Sequence, residues 1–278
     1  MSPVIKSPDI FHQHFVCSSA LRGASAAAPH LVLLHGWGMH SGVWENFLPL
    51  LAPYFQVTVI DLPGFGKTAA DISPDGFLHA LPALVPAPAL WLGWSLGGLL
   101  ALEMAMLYPQ RVRALCLLAA TPCFVQREDW LTAMPASVFG GFCDALQEHP
   151  QATLARFLAL QCKGSVSMKA DIRFLQAVLA AEKMPSDKTL GEGLQQLACL
   201  DLREALRRLA MPVQVILGEK DSLIPVAVAG ALQVLNPAVN VTVVDGAAHL
   251  PFVSHPQVCR DALLQFCRQQ GLLEGSAA

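Results

Sequence analysis

The segment with the most chemical potential is Gly93-Trp94-Ser95-Leu96-Gly97-Gly98, a serine framed by glycines between a strand-like and a helix-like run. Its spacing is G-x-S-x-G, and a strand-to-helix context is what a nucleophile elbow requires. So sharp a turn strains the serine backbone and excludes side chains two positions to either side, a need that Gly93 and Gly97 meet. The turn lifts the Ser95 hydroxyl above the strand ends and puts the Leu96 N–H at a helix N-terminus, where it can stabilise an oxyanion. A serine hydroxyl is a weak nucleophile until a neighbouring base takes its proton.

Three further motifs follow apolar, strand-like runs. His35-Gly36-Trp37-Gly38 is small enough to turn a backbone N–H toward the nucleophile, so Trp37 is a second main-chain oxyanion donor and its indole a wall of the pocket. Gly218-Glu219-Lys220-Asp221 supplies acids, and Gly246-Ala247-Ala248-His249 supplies a base. A carboxylate beside a histidine fixes its tautomer and stabilises the imidazolium that forms in turnover. The chain order Ser95…Asp221…His249 is the one that accompanies this elbow. Glu219 is an alternative acid, whereas Asp245 precedes His249 too closely to face it easily. His255 reads as a capping or packing residue; His35 and His40 both adjoin the oxyanion loop, and His35 reads as its brace. Asp61-Leu62-Pro63-Gly64-Phe65-Gly66 reads as a structural turn that lines the approach to Ser95.

These motifs need a scaffold that sets several strand ends side by side. Strand-like runs at 31–35, 57–61, 89–94, 112–119, 213–217 and 241–244 alternate with helix-like stretches at 42–52, 96–108, 226–235 and 256–269. Runs buried on both faces and separated by helices predict an α/β fold with a mainly parallel, doubly wound sheet. From Pro122 to Asp187 the pattern is helical with no convincing strand, which predicts a helical lid at 122–187 inserted in a core of 1–121 and 188–278. The tail at 274–278 is expected to fray.

Composition agrees with one domain. The chain has 278 residues, 54% hydrophobic and 14% charged, enough apolar surface for a large core and too little charge for disorder. A net charge of −3 gives no basic field for nucleic acid or a membrane surface. The longest uncharged stretch, 80–102, is broken by Pro82, Pro86, Pro88 and the elbow glycines, so it reads as loop, strand, turn and helix rather than a membrane span. The first residues carry no apolar signal region, and a cytoplasmic location is expected. The eight cysteines form no C-x-x-C pair and no zinc spacing, so they read as reduced and mostly buried, with no metal site.

LLHGWG, DLPGFG, WLGWSLGG and GAAHLPFVSHP together resemble the α/β-hydrolase superfamily. More narrowly, the chain is similar to the pimeloyl-[acyl-carrier protein] methyl ester esterases of biotin synthesis. Features the superfamily does not demand carry this likeness: Trp94, Thr121-Pro122-Cys123-Phe124, Arg156-Phe157-Leu158-Ala159-Leu160-Gln161, Pro251-Phe252 and Ser254-His255-Pro256. The resemblance spans about 31–269 and carries little over the first thirty residues. It implies a serine carboxylesterase with Ser95, Asp221 and His249 as triad, Asp221 being the acid before Ile224-Pro225. It also implies main-chain oxyanion donors at Trp37 and Leu96, and an acyl slot lined by Trp37, Leu96 and Phe157.

The implied partner is an acyl carrier protein, met transiently by a monomer, with no cofactor, metal, nucleic acid or membrane involved. Such a carrier is acidic, and the lid offers Arg156, Lys163, Lys169 and Arg173 against one acid, Asp171; Lys169 and Arg173 are four apart and share a helix face. The same scaffold also serves general short-chain esterases, lactonases, thioesterases and carbon–carbon bond hydrolases, and non-catalytic ligand receptors whose triad is damaged. Dehalogenases and epoxide hydrolases would need Asp in place of Ser95.

Overall fold

A strand buried on both faces cannot alternate polar and apolar residues, and β4 (Ala89–Trp94) is buried at every position in the computed structural model. The structure describes residues 9–17, 28–85 and 88–273; the expected fraying at 274–278 lies outside them. Strands β2 (His30–Leu34), β3 (Gln56–Ile60), β5 (Val112–Leu118), β6 (Val213–Gly218) and β7 (Val239–Val244) run parallel with β4. At one edge β1 (His12–Phe15) pairs antiparallel with β3. The order β1-β3-β2-β4-β5-β6-β7 reverses direction between β2 and β4. In an open parallel sheet a ligand site forms outside the carboxyl ends of the strands at such a reversal. Register aligns those ends, with Leu34 beside Gly93 and Trp94 beside Leu118.

Helices cover both faces. On one face α1 (Leu48–Leu51) and α11 (Pro256–Gln269) pack over Leu31, Leu33, Val57 and Cys116. On the other, α2 (Pro74–Leu84), α3 (Leu96–Leu107), α8 (Arg203–Arg208) and α9 (Val228–Leu235) pack over Val32, Leu34, Leu115 and Val215. Helix α3 is apolar nearly all round, as a helix enclosed on all sides must be. The fold is the expected mainly parallel, doubly wound α/β sheet.

Between β5 and β6 lie α4 (Ala136–Glu148), α5 (Pro150–Gln161), α6 (Met168–Ala180) and α7 (Asp187–Cys199). The only β contacts described in the expected lid stretch are isolated bridges, such as Val125 with Met134. Helix α7 packs on α4, so it works with the three helices before it.

Two readings of local structure change. The helix expected at 42–52 is a 3-10 turn at Ser41–Trp44 and the short α1, because Pro49 has no N–H to continue a single helix and starts a new one. The loop expected before 89 is partly the end of α2, which contains Pro82. Arg111 makes that end tenable by donating to the Pro82 and Val85 carbonyls, the latter at 3.1 Å. Among the described residues no helix is long and apolar enough to cross a membrane.

Candidate active site

Ser95 stands between β4 and α3 with φ 55° and ψ −118°, a left-handed conformation that an L residue adopts only when its surroundings enforce it. Its N–H donates to the Leu118 carbonyl at 3.0 Å. The glycines are required by contact: a Cβ on Gly93 would lie 2.1 Å from the Gly97 carbonyl oxygen, and one on Gly97 2.4 Å from that of Leu34. The strand, the turn and the helix therefore approach too closely for any side chain at either position.

Asp221 and His249 come from the loops after β6 and β7, and these loops are zipped together: Glu219 N–H donates to Val244 O at 3.0 Å and Lys220 N–H to Ala247 O at 2.8 Å. His249 Nδ1 lies 2.7 Å from Asp221 Oδ2, both side chains being essentially inaccessible to water. The other carboxylate oxygen, Oδ1, accepts from the Leu223 and Ile224 N–H groups at 2.8 and 2.9 Å. The carboxylate has no freedom to turn, and it selects the imidazole tautomer protonated on Nδ1.

The backbone of His249 is held at both ends. Its N–H donates to the Gln161 carbonyl at the end of α5 (3.0 Å), and its carbonyl accepts from the Trp94 indole (2.9 Å). The residue before Ser95 thus holds the position of the base. His249 Nε2 is buried and has no hydrogen-bond partner among the described residues, Ser95 included. In ligand-free sites such bonds are commonly long and tighten when substrate arrives.

The main-chain N–H groups of Trp37 and Leu96 likewise have no protein acceptor among the described residues. The Trp37 ring is buried, stands edge-on to Phe157 at 4.9 Å, and donates its indole N–H to the Leu190 carbonyl of α7 at 2.9 Å. An apolar cavity of about 90 Å³ opens above Ser95 and Trp37, walled by Phe139 and Phe142 of α4, Phe157 of α5, Leu194 and Leu197 of α7, and Leu223. Of the expected slot residues, Trp37 and Phe157 line it; Leu96 opens α3 and its side chain is not among the lining ones.

The competing residues have other work. Glu219 is exposed, accepting from Gly246 N–H at 3.0 Å and pairing with Lys220. Asp61 accepts from the Ser41 and Lys67 N–H groups, so its turn is a structural clasp and not a wall of the cavity. His255 caps α11 through no side-chain bond, and its Nδ1 meets Ser254 Oγ. His40 joins the loop to α6 through Nε2 and the Val178 carbonyl at 2.7 Å.

His35 is a brace as expected, its Nε2 accepting from Leu62 N–H at 2.9 Å. Complete burial lowers its pKa from 6.5 to about 4, against the opposing pull of Asp61. The unfolded chain therefore takes up a proton below about pH 6.5 that the fold refuses until about pH 4, so stability falls as pH drops through that window. Urea denaturation at about pH 7 and about pH 5 is expected to show the loss. A His35→Gln variant with the same pH slope would exclude His35 as its source.

Sequence reading did not single out Gln161 for its carbonyl, Leu223, or the contribution of α7. Gln161 and Phe157 lay in a noted motif, but what they touch is set by residues far away in the chain.

Arg156, Lys163, Lys169 and Arg173 are all exposed, and none forms an ion pair among the described residues. The one acid in that stretch, Asp171, is turned inward and accepts from the Ser165 and Ser167 hydroxyls at 2.7 and 2.9 Å. The lid surface there is more basic than its formal charge.

The α/β hydrolase fold family profile matches residues 29–256. A pimeloyl-[acyl-carrier protein] methyl ester esterase of Klebsiella pneumoniae is 42% identical over 237 residues, covering 84% of this chain and 92% of the relative. One of Xylella fastidiosa is 43% identical over 243 residues, covering 86% and 94%. Among solved structures, a bromoperoxidase from Bacillus anthracis superposes with TM-score 0.81 at 20% identity, covering 93% of this chain and 95% of that one, a likeness of fold. The chain belongs to the α/β-hydrolase fold family and, within it, to the family of the pimeloyl-[acyl-carrier protein] methyl ester esterases.

Proposed function

We propose that this chain is a serine carboxylesterase that hydrolyses the methyl ester of pimeloyl-[acyl-carrier protein] in biotin synthesis, with Ser95, His249 and Asp221 as its triad. The observation that carries the chemistry is the buried Asp221–His249 pair, 2.7 Å apart, with the His249 carbonyl tied to the indole of Trp94, the neighbour of a serine held at φ 55°. The substrate follows from the relatives above.

His249 Nε2 takes the Ser95 proton as Oγ attacks the ester carbonyl. The carbonyl oxygen becomes an oxyanion, held by the Trp37 and Leu96 N–H groups. The intermediate collapses, the C–O bond to methoxide breaks, and His249 returns its proton to release methanol. Water, deprotonated by His249, then cleaves the acyl-enzyme to the free carboxylate and restores Ser95. Asp221 stays ionised and stabilises the imidazolium in each half-reaction. No metal or organic cofactor enters these steps. The apolar cavity accepts the methylene chain beside Trp37 and Phe157. All eight cysteines are free thiols, which suits a cytoplasmic setting.

The carrier protein docks on Arg156, Lys169 and Arg173, whose unpaired charges steer an acidic partner. Lys169→Glu with Arg173→Glu is expected to raise KM for the carrier-bound ester by roughly tenfold or more at low salt, the effect shrinking as salt screens it. Hydrolysis of a p-nitrophenyl ester by the same variant should not change. Equal KM values for the carrier-bound ester would remove this face from the docking site.

The test of the whole reading is hydrolysis of pimeloyl-carrier methyl ester beside a short p-nitrophenyl ester. The carrier-bound ester should be cleaved with much the higher kcat/KM. If only the small ester is cleaved, the chain is a general esterase, lactonase or thioesterase by physiological substrate. If neither is cleaved and a fluorophosphonate does not label Ser95, the receptor reading replaces it.

A further inference from the structure

We propose that Gly193, inside α7, is a positioning residue for the oxyanion loop: it lets this helix pack closely onto the Trp37 indole, which the Leu190 carbonyl then holds in place near Ser95. The proposal rests on the reading of Ser95 as nucleophile and Trp37 as oxyanion donor.

Glycine weakens a helix interior relative to alanine, so one that is buried there needs a reason. Gly193 is buried and has no positive φ, so backbone freedom is not the reason. Space is: a Cβ at this position would lie 2.6 Å from Trp37 Cδ1 and 3.0 Å from its Nε1. The ring cannot easily yield, because Phe157 and Phe142 stand edge-on to it at 4.9 and 5.7 Å, and its N–H is tied to Leu190 at 2.9 Å. Two residues earlier in the same helix, Gly191 is exposed, and a Cβ there would meet nothing within 4 Å. One glycine of the pair answers to the indole and the other does not.

Trp37 belongs to the loop at 35–40 that follows β2, and β2 pairs with β4, the strand that ends at the elbow. A displaced indole therefore moves the main-chain N–H assigned to the oxyanion, whereas the Asp221–His249 pair lies on other loops and stays in place. Helix α7 thus sets the oxyanion hole through the Trp37 ring. A misplacement of about 1 Å at a reacting centre costs on the order of 10²-fold in rate.

The experiment compares Gly193→Ala with Gly191→Ala in the full chain, using a short p-nitrophenyl ester so that carrier docking plays no part. Gly193→Ala is expected to lower kcat by roughly 10- to 100-fold with KM nearly unchanged, while Gly191→Ala keeps the wild-type kcat. Gly191→Ala should melt at or near the wild-type temperature and Gly193→Ala several degrees lower, because overpacking a buried contact is destabilising without unfolding the chain. In a Trp37→Leu background, where the clashing ring is gone, adding Gly193→Ala should cost less than about twofold. Should Gly193→Ala not fold, Trp37→Phe tests the same tie, since it deletes the N–H that the Leu190 carbonyl accepts while keeping a ring in the slot; its kcat should fall by a larger factor than its KM rises. The proposal is overturned if the folded Gly193→Ala enzyme, or Trp37→Phe in its stead, keeps kcat within about twofold of wild type. Absence of fluorophosphonate label on wild-type Ser95 would instead overturn the catalytic reading beneath it.

Discussion

Ser95→Ala is expected to abolish turnover, lowering kcat by roughly 10³- to 10⁶-fold on any ester the wild type cleaves. The loss is chemical. The N–H that anchors the elbow donates to the Leu118 carbonyl, and the crowding of Gly93 against Gly97 is between backbones, so neither depends on the serine hydroxyl. Alanine also pays the same backbone strain at φ 55°, and the hydroxyl makes no hydrogen bond among the described residues. The melting temperature should therefore match wild type within a few degrees, separating lost chemistry from lost fold. What remains is the oxyanion hole and the apolar slot, which bind substrate but offer no nucleophile. Parallel measurements of kcat, melting temperature and fluorophosphonate labelling decide the matter. Activity within about tenfold of wild type would remove Ser95 from the mechanism.

The parts of this site legible in the sequence are those that local backbone physics determines. The elbow announces itself because two glycines must flank a turn whose backbone atoms nearly touch, and β4 and α11 begin and end where the apolar patterns do. The choice between Glu219 and Asp221 is not local. Both stand after β6, and only the fold turns Asp221 inward onto the Leu223 and Ile224 N–H groups while Glu219 reaches Gly246 at the surface. Likewise β1 (HQHF) carries no alternation to betray a strand; it is half exposed at the sheet edge and owes its conformation to its ladder with β3. Proline misled in both directions, since Pro49 divides a helix that the apolar spacing would join, and Pro82 sits within a helix whose last carbonyls Arg111 satisfies. Contacts that tune the site join residues far apart in the chain, 153 apart for Trp37 and Leu190 and 155 for Trp94 and His249, and no spacing rule reaches that far.

Asp221→Asn is expected to cost roughly 10⁴-fold in kcat while leaving the site's shape nearly intact. Oδ1 of Asp221 accepts two backbone N–H groups, from Leu223 and Ile224, so the new amide must keep its oxygen there and turn its NH₂ toward His249. Flipping it would set two donors against two donors and leave the buried N–H groups without an acceptor, at a cost of about 1–3 kcal/mol for each. The amide therefore donates to His249 Nδ1, the atom now 2.7 Å from a carboxylate oxygen, and drives the ring proton to Nε2. An imidazole protonated on Nε2 cannot accept the Ser95 proton, and no carboxylate remains to stabilise the imidazolium. KM for a short ester should change little, because the cavity walls do not involve Asp221. The change of tautomer is visible directly in the nitrogen chemical shifts of His249. A variant that keeps kcat within about tenfold, or keeps the Nδ1–H tautomer, would show that Glu219 or another acid orients the base.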